Sequence, residues 1–130
     1  MAYVIGLVLA LAVSVYATAM RLDRDRAFYP TVTIVIGFLY ALFAAMGAST
    51  GVLVLESVVG AVFLAAAVAG FKASLWIVAV ALAAHGVFDV AHGRVISNPG
   101  VPAFWPAFCS AYDLTAAAYL ACLLKLGRIR

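Results

Sequence analysis

Two histidines and three carboxylates stand inside long apolar stretches of this sequence, and their spacing is that of helix-borne ligands. His85, Asp89 and His92 are at i, i+4 and i+7. At about 100° per residue they fall within an arc of about 60°, so they form one polar stripe on one helix. Neutral imidazoles and carboxylates bind zinc, iron or manganese, and a helix carrying His and Asp on one face is a usual way to present them. Glu56 and Asp113, in two other apolar stretches, complete the expected shell. The expectation is therefore a divalent metal, Zn, Fe or Mn, held by His85, Asp89, His92, Asp113 and Glu56. The same groups also suit a metal-free network in which Asp89 or Glu56 pairs with a histidine to hold helices together. A relay for protons or cations is a third use of buried carboxylates. Tyr40 falls near the middle of its own stretch and can donate a hydrogen bond. Cys109, at i−4 from Asp113, is expected to be a small buried apolar residue.

The elements that must position these groups are membrane-spanning helices. The chain is 68% hydrophobic and 10% charged, with mean hydropathy +1.20. A soluble domain is about 45–50% apolar and about 25% charged, and a small one has too little core to hide this much apolar surface. Five stretches, Ala2–Met20, Thr31–Ala48, Gly51–Phe71, Leu75–Ile96 and Ala103–Leu126, are each near the ~20 residues that cross ~30 Å of hydrocarbon. The expected fold is an all-α membrane bundle of about five transmembrane helices forming a single domain, 1–130. Pro30 is expected just before the second helix. Ser97–Pro102, with two prolines and a glycine, ends the fourth.

Arg21, Arg24, Arg26, Lys72, Lys125, Arg128 and Arg130 share one side of such a bundle, leaving only Arg94 opposite. The positive-inside rule then gives an N-out, C-in orientation. In that frame Glu56, His85, Asp89, His92 and Asp113 lie in the outer half of the bilayer or near its centre. Each such charge costs at least ~2.5–3.5 kcal/mol at the centre of a span, which demands partners or a role. Asp23 and Asp25 are expected in a solvated inner loop. Arg94, opposite His85 on its helix, is expected to snorkel to headgroups. Ala61, Ala65 and Ala69 form a small-residue stripe suited to helix packing, and Gly86 and Gly93 permit a close neighbour.

Several classes are excluded or demoted. The net charge of +3 sits in loops and reads as topology, not as nucleic-acid binding. Nucleotide, nucleophile-elbow and haem-attachment motifs are absent. Cys109 and Cys122, on one helix about 20 Å apart, cannot bridge. Ala17-Thr18-Ala19 looks like a signal cleavage site, but the basic run follows the apolar run, so the first stretch is expected to be retained.

The string His85-Gly86-Val87-Phe88-Asp89-Val90-Ala91-His92, with Pro106 and Asp113 after it, resembles small bacterial integral membrane proteins of unknown function. That resemblance covers mainly the last third of the chain and implies a bacterial inner (cytoplasmic) membrane. The chain is also distantly similar to multispanning zinc hydrolases of the alkaline ceramidase type, which use intramembrane His and Asp. Those have seven spans and a third histidine without a clear counterpart here, so no catalytic roles carry over. The functional expectation is a metal-dependent enzyme acting on a lipid-like substrate in the lipid bilayer. The alternatives are a proton or metal-ion transporter and an accessory subunit of a larger membrane complex or homo-oligomer.

Overall fold

The computed structural model describes all residues, 1–130. It is all-helical: α1 Ala2–Ala19, α2 Phe28–Gly47, α3 Thr50–Lys72, α4 Leu75–Val95 and α5 Trp105–Lys125. At ~1.5 Å per residue these helices are roughly 27 to 35 Å long. All five are long and apolar enough to cross a membrane. The main departure from the sequence expectation is the start of α2, three residues before Thr31, which places Pro30 inside the first turn. A proline costs nothing there, because first-turn N–H groups have no acceptor within the helix. Pro106 sits in the first turn of α5 for the same reason.

The ends are closed by local chemistry. Ser49 and Ser74 cap α3 and α4, their hydroxyls accepting from the N–H groups of Val52 and Trp76 at 3.3 Å. At the end of α1, Arg21 N–H bonds to the Thr18 carbonyl and Leu22 N–H to the Ala17 carbonyl. This is a Schellman closure, and it holds Arg21 at φ 62°. The end of α5 repeats it with Gly127 at φ 65°. Asp23 departs from the solvated-loop expectation. It is 3% exposed and accepts a 2.7 Å hydrogen bond from the Thr18 hydroxyl, so its loop folds back on α1.

α4 is the most enclosed helix, and α1 and α3 are the least. α1 packs on α5, α5 on α4, α4 on α3 and α3 on α2, and α2 returns to touch α4. The α1–α2 loop, the last residues of α3 and α5 and the C-terminal tail carry seven of the eight cations and define a basic end. The loop Ser97–Pro102 lies at the other, the proline end. An apolar core of Leu75, Val78, Leu82, Leu120 and Leu123 fills the basic half between α4 and α5. The polar stripe of α4 occupies the rest. α3 turns Glu56, Gly60, Ala67 and Gly70 inward. Ala61, Ala65 and Ala69, expected to pack a helix, instead face outward.

Several helix contacts depend on a missing side chain, two of them on α5. A Cβ on Gly6 would overlap the Phe108 carbonyl, so α1 and α5 meet backbone to backbone. A Cβ on Gly86 would press on Leu114, so the expected close neighbour there is α5. Gly93 has nothing within 4 Å and makes no such approach. Gly6→Val should therefore lose about 1–3 kcal/mol by overpacking. Gly93→Ala should leave the melting temperature unchanged or slightly higher, since alanine is the better helix former. Thermal unfolding of both variants in one detergent checks this; equal behaviour would contradict the close α1–α5 contact.

Candidate metal centre

Three groups of the α4 stripe are buried, and each finds its partners on a different helix. His85, midway along α4, faces α5. Its Nδ1 is 2.6 Å from Asp113 Oδ2 and 3.5 Å from Asp89 Oδ2 one turn on. Cys109, one turn before Asp113 on α5, holds Sγ 3.9 Å from both Asp113 oxygens. One ligand atom from each of His85, Asp89, Cys109 and Asp113 lies within 4.8 Å of the others. All four residues are at most 3% exposed. Tyr40 of α2 donates a 2.6 Å hydrogen bond to Asp89 Oδ1, and Phe63 of α3 packs edge-on against the His85 ring.

His92 and Glu56 make a separate pair. His92 Nε2 lies 2.6 Å from Glu56 Oε1, and Asn98 Nδ2 donates to the same oxygen and to the Tyr40 carbonyl, both at 3.1 Å. The five residues read from the sequence as one shell are thus divided. His85, Asp89 and Asp113 come together with Cys109; His92 and Glu56 come together with Asn98. The division is axial. Residues 85 and 92 share a face but are separated by roughly 10 Å of helix rise, whereas bonds to one first-row ion are about 2.0–2.3 Å. Tyr40 fills the interval, its ring stacked on His92 with centroids 3.7 Å apart and planes 6° from parallel.

Cys109 and Asn98 are the residues that sequence reasoning left out of the site. The i−4 spacing of Cys109 from Asp113 is visible in the sequence, but a thiol serves equally as apolar filler. Asn98 sits in a turn-rich loop, where asparagine ordinarily serves the turn itself. It does that too: Asn98 Oδ1 accepts from the Gly100 N–H at 3.1 Å.

The donor set suits a divalent transition metal. Imidazole, thiolate and two carboxylates are zinc or iron ligands, and the thiolate disfavours manganese. Asp89 Oδ2 and His85 Nε2 are buried with no hydrogen-bond partner. Leaving such an atom unpaired costs about 1–3 kcal/mol, and a cation beside the carboxylates removes that cost for Asp89. The His85–Asp113 contact of 2.6 Å is a hydrogen bond. His85, Asp89, Cys109 and Asp113 would hold the ion, with ligand atoms that already lie within 4.8 Å of one another.

Two openings approach the polar residues. An apolar cavity of about 360 Å³ between α1, α2 and α5, lined by Leu9, Val35, Ile36, Leu39 and Phe108, has Cys109, one of the four, in its wall. At the proline end a more polar cavity of about 270 Å³ has His92 and Asn98 in its wall.

Metal analysis of the purified protein separates the two clusters. His85→Ala and Asp113→Asn should abolish stoichiometric zinc or iron binding, and Cys109→Ser should weaken it. His92→Ala should retain it, because His92 is outside the four-residue group. Tyr40→Phe should lose about 1–3 kcal/mol of stability by stripping a buried carboxylate of its donor, which chemical denaturation would register. Equal metal content in all variants would reject the centre.

Comparison with protein-family models, with curated proteins and with solved structures finds no match to this chain.

Proposed function

We propose that this chain is an integral membrane hydrolase of the bacterial cytoplasmic membrane, with its N-terminus outside and its C-terminus inside. In this reading His85, Asp89, Cys109 and Asp113 hold a zinc-type divalent metal that acts on a lipid-like substrate. One observation carries the proposal: Cys109 belongs both to the buried ligand group and to the wall of the apolar cavity between α1, α2 and α5. An acyl chain lying there would bring its polar linkage beside the ligands without passing through water.

The chemistry follows from the donor set. A catalytic zinc keeps three protein ligands and leaves one position to water, whose pKa it lowers to about 7. Four candidate ligands allow that exchange while the remaining three hold the ion. The orientation rests on the seven cations at the basic end. It puts the centre in the outer half of the bilayer or near its middle, with the polar cavity beside His92 facing the outer surface.

A relay across the membrane is the weaker reading. The helices contain no histidine or carboxylate between the His85–Asp113 centre and Asp23 at the basic end. The intervening space holds the apolar core of Val78, Leu82 and Leu120, with isolated buried hydroxyls such as Ser14 and Thr33. A proton or ion that reached this centre from the proline end would meet no further histidine or carboxylate within the helices.

Reporter fusions after Lys72 and after Arg130 should both report the cytoplasm; an external C-terminus would overturn the orientation. Zinc-loaded protein in bilayers of ester- and amide-linked lipids should release free fatty acid, detected by mass spectrometry. His85→Ala should bring release to background. Val35→Trp, which fills the apolar cavity away from the ligands, should slow release about tenfold or more with metal content intact. A Val35→Trp protein as active as the parent would sink the lateral entry of substrate, and no release from any lipid would sink the hydrolase reading.

A further inference from the structure

The basic end holds a second constructed site. Arg24, Asp25 and Arg26 of the α1–α2 loop and Arg128 and Arg130 of the tail line one cavity of about 490 Å³. Four arginines and one aspartate are in its wall. Asp25 is engaged by the Ala27 N–H at 3.1 Å. The only close acid–base side-chain pairs in the structure are those of His85 and His92, so none of these arginines has a carboxylate partner.

The arginines are positioned by the fold. The Schellman closure of α5 turns the chain at Gly127 and aims the tail back along the bundle. Ile129 then inserts into the apolar core at 6% exposed, fixing Arg128 and Arg130 on either side of it. In the loop, Arg26 at φ 69° sends Nε and Nη2 to the carbonyls of Phe71 and Gly70, at 3.2 and 3.3 Å. That clasps the loop to the last turn of α3 and leaves three of its five N–H bonds free. Guanidinium forks of this kind match phosphate oxygens in pairs.

An apolar groove leads away from the same corner. Pro30 and Ile34 of α2 and Ala67, Val68 and Phe71 of α3 line about 250 Å³ that opens beside Ala27, the residue after Arg26. Free phosphate would account for the arginines and leave the groove unexplained. A phospholipid accounts for both.

We propose that this end of the bundle binds an anionic phospholipid, its phosphate among Arg24, Arg26, Arg128 and Arg130 and an acyl chain in the groove between α2 and α3. The site rests on the N-out, C-in reading only for its leaflet, the inner one, where anionic headgroups and basic pockets between helices meet. It is independent of the metal centre.

The test uses the full-length chain, delipidated in neutral detergent, with phosphatidylglycerol and phosphatidylcholine of identical acyl chains, read by native mass spectrometry. One phosphatidylglycerol should be retained and phosphatidylcholine should not, and millimolar inorganic phosphate should fail to displace it. The double variant Arg24→Gln, Arg128→Gln should weaken retention roughly tenfold or more, with metal content and melting temperature unchanged in lipid-free detergent. Ile34→Trp, which blocks the groove, should weaken it with every arginine present. Equal retention of the two lipids, or an unaffected arginine variant, overturns the site. Ready displacement by phosphate, or an unaffected Ile34→Trp, overturns the lipid in favour of a simple anion. Selective phosphatidylglycerol binding together with reversed reporter fusions upholds the site and overturns the orientation alone.

Discussion

The pairing of the α4 polar stripe with one group from each neighbouring helix is the constraint on which this bundle depends. An apolar helix surface packs on another in many registers at similar energy, so Val and Leu contacts alone leave a five-helix bundle poorly specified. His85, Asp89 and His92 remove that freedom. His85 meets Asp113 of α5, Asp89 meets Tyr40 of α2, and His92 meets Glu56 of α3, each at 2.6 Å. Sliding any neighbour by one turn, about 5.4 Å, would strand a buried charge or donor. The three contacts set the rise and rotation of α2, α3 and α5 together, and α1 follows through its backbone contact with α5 at Gly6.

Polar and apolar chemistry are consequently segregated along the bundle. The basic half is held by leucine and valine packing around Leu82 and Leu120. The proline half gives up part of that packing to the two clusters and to Tyr40 between them. The apolar cavity at Cys109 lies against α5, on the side where α1 and α2 leave space. An apolar cavity and a ligand group therefore meet at Cys109 without either interrupting the leucine core.

How much of this was legible beforehand depends on the kind of signal. All five helices could be read because an apolar run of about 20 residues matches the thickness of a bilayer and exceeds what a small soluble core can cover. The start of α2 is harder to read, because Pro30 suits a position just before a helix and the first turn within one equally. The histidines and carboxylates stood out because an ionisable residue in such a run is costly. Their division into two clusters could not be read, since helical phase gives direction around the axis and says nothing of what fills the space along it. Here that filler is Tyr40. Asp23 was hidden for a related reason: its partner, Thr18, is reached only after the Schellman turn reverses the chain. The alanine stripe of α3 misled because small residues suit a packed face and an outward one equally. It was Glu56, Gly60, Ala67 and Gly70 that turned α3.

Chain order gives these contacts a temporal side. Glu56 precedes His92 by 36 residues, and His85 precedes Asp113 by 28. At a synthesis rate of about 5–20 residues per second, a polar group delivered first waits on the order of seconds for its partner. For a chain that enters a bilayer helix by helix, Glu56 arrives on α3 with no imidazole yet made, and His85 and Asp89 arrive with only each other and Tyr40. α5 is then the closing member of the assembly. Until Asp113 and Cys109 arrive, such a bundle would hold His85 without its α5 partner and an open face on α4.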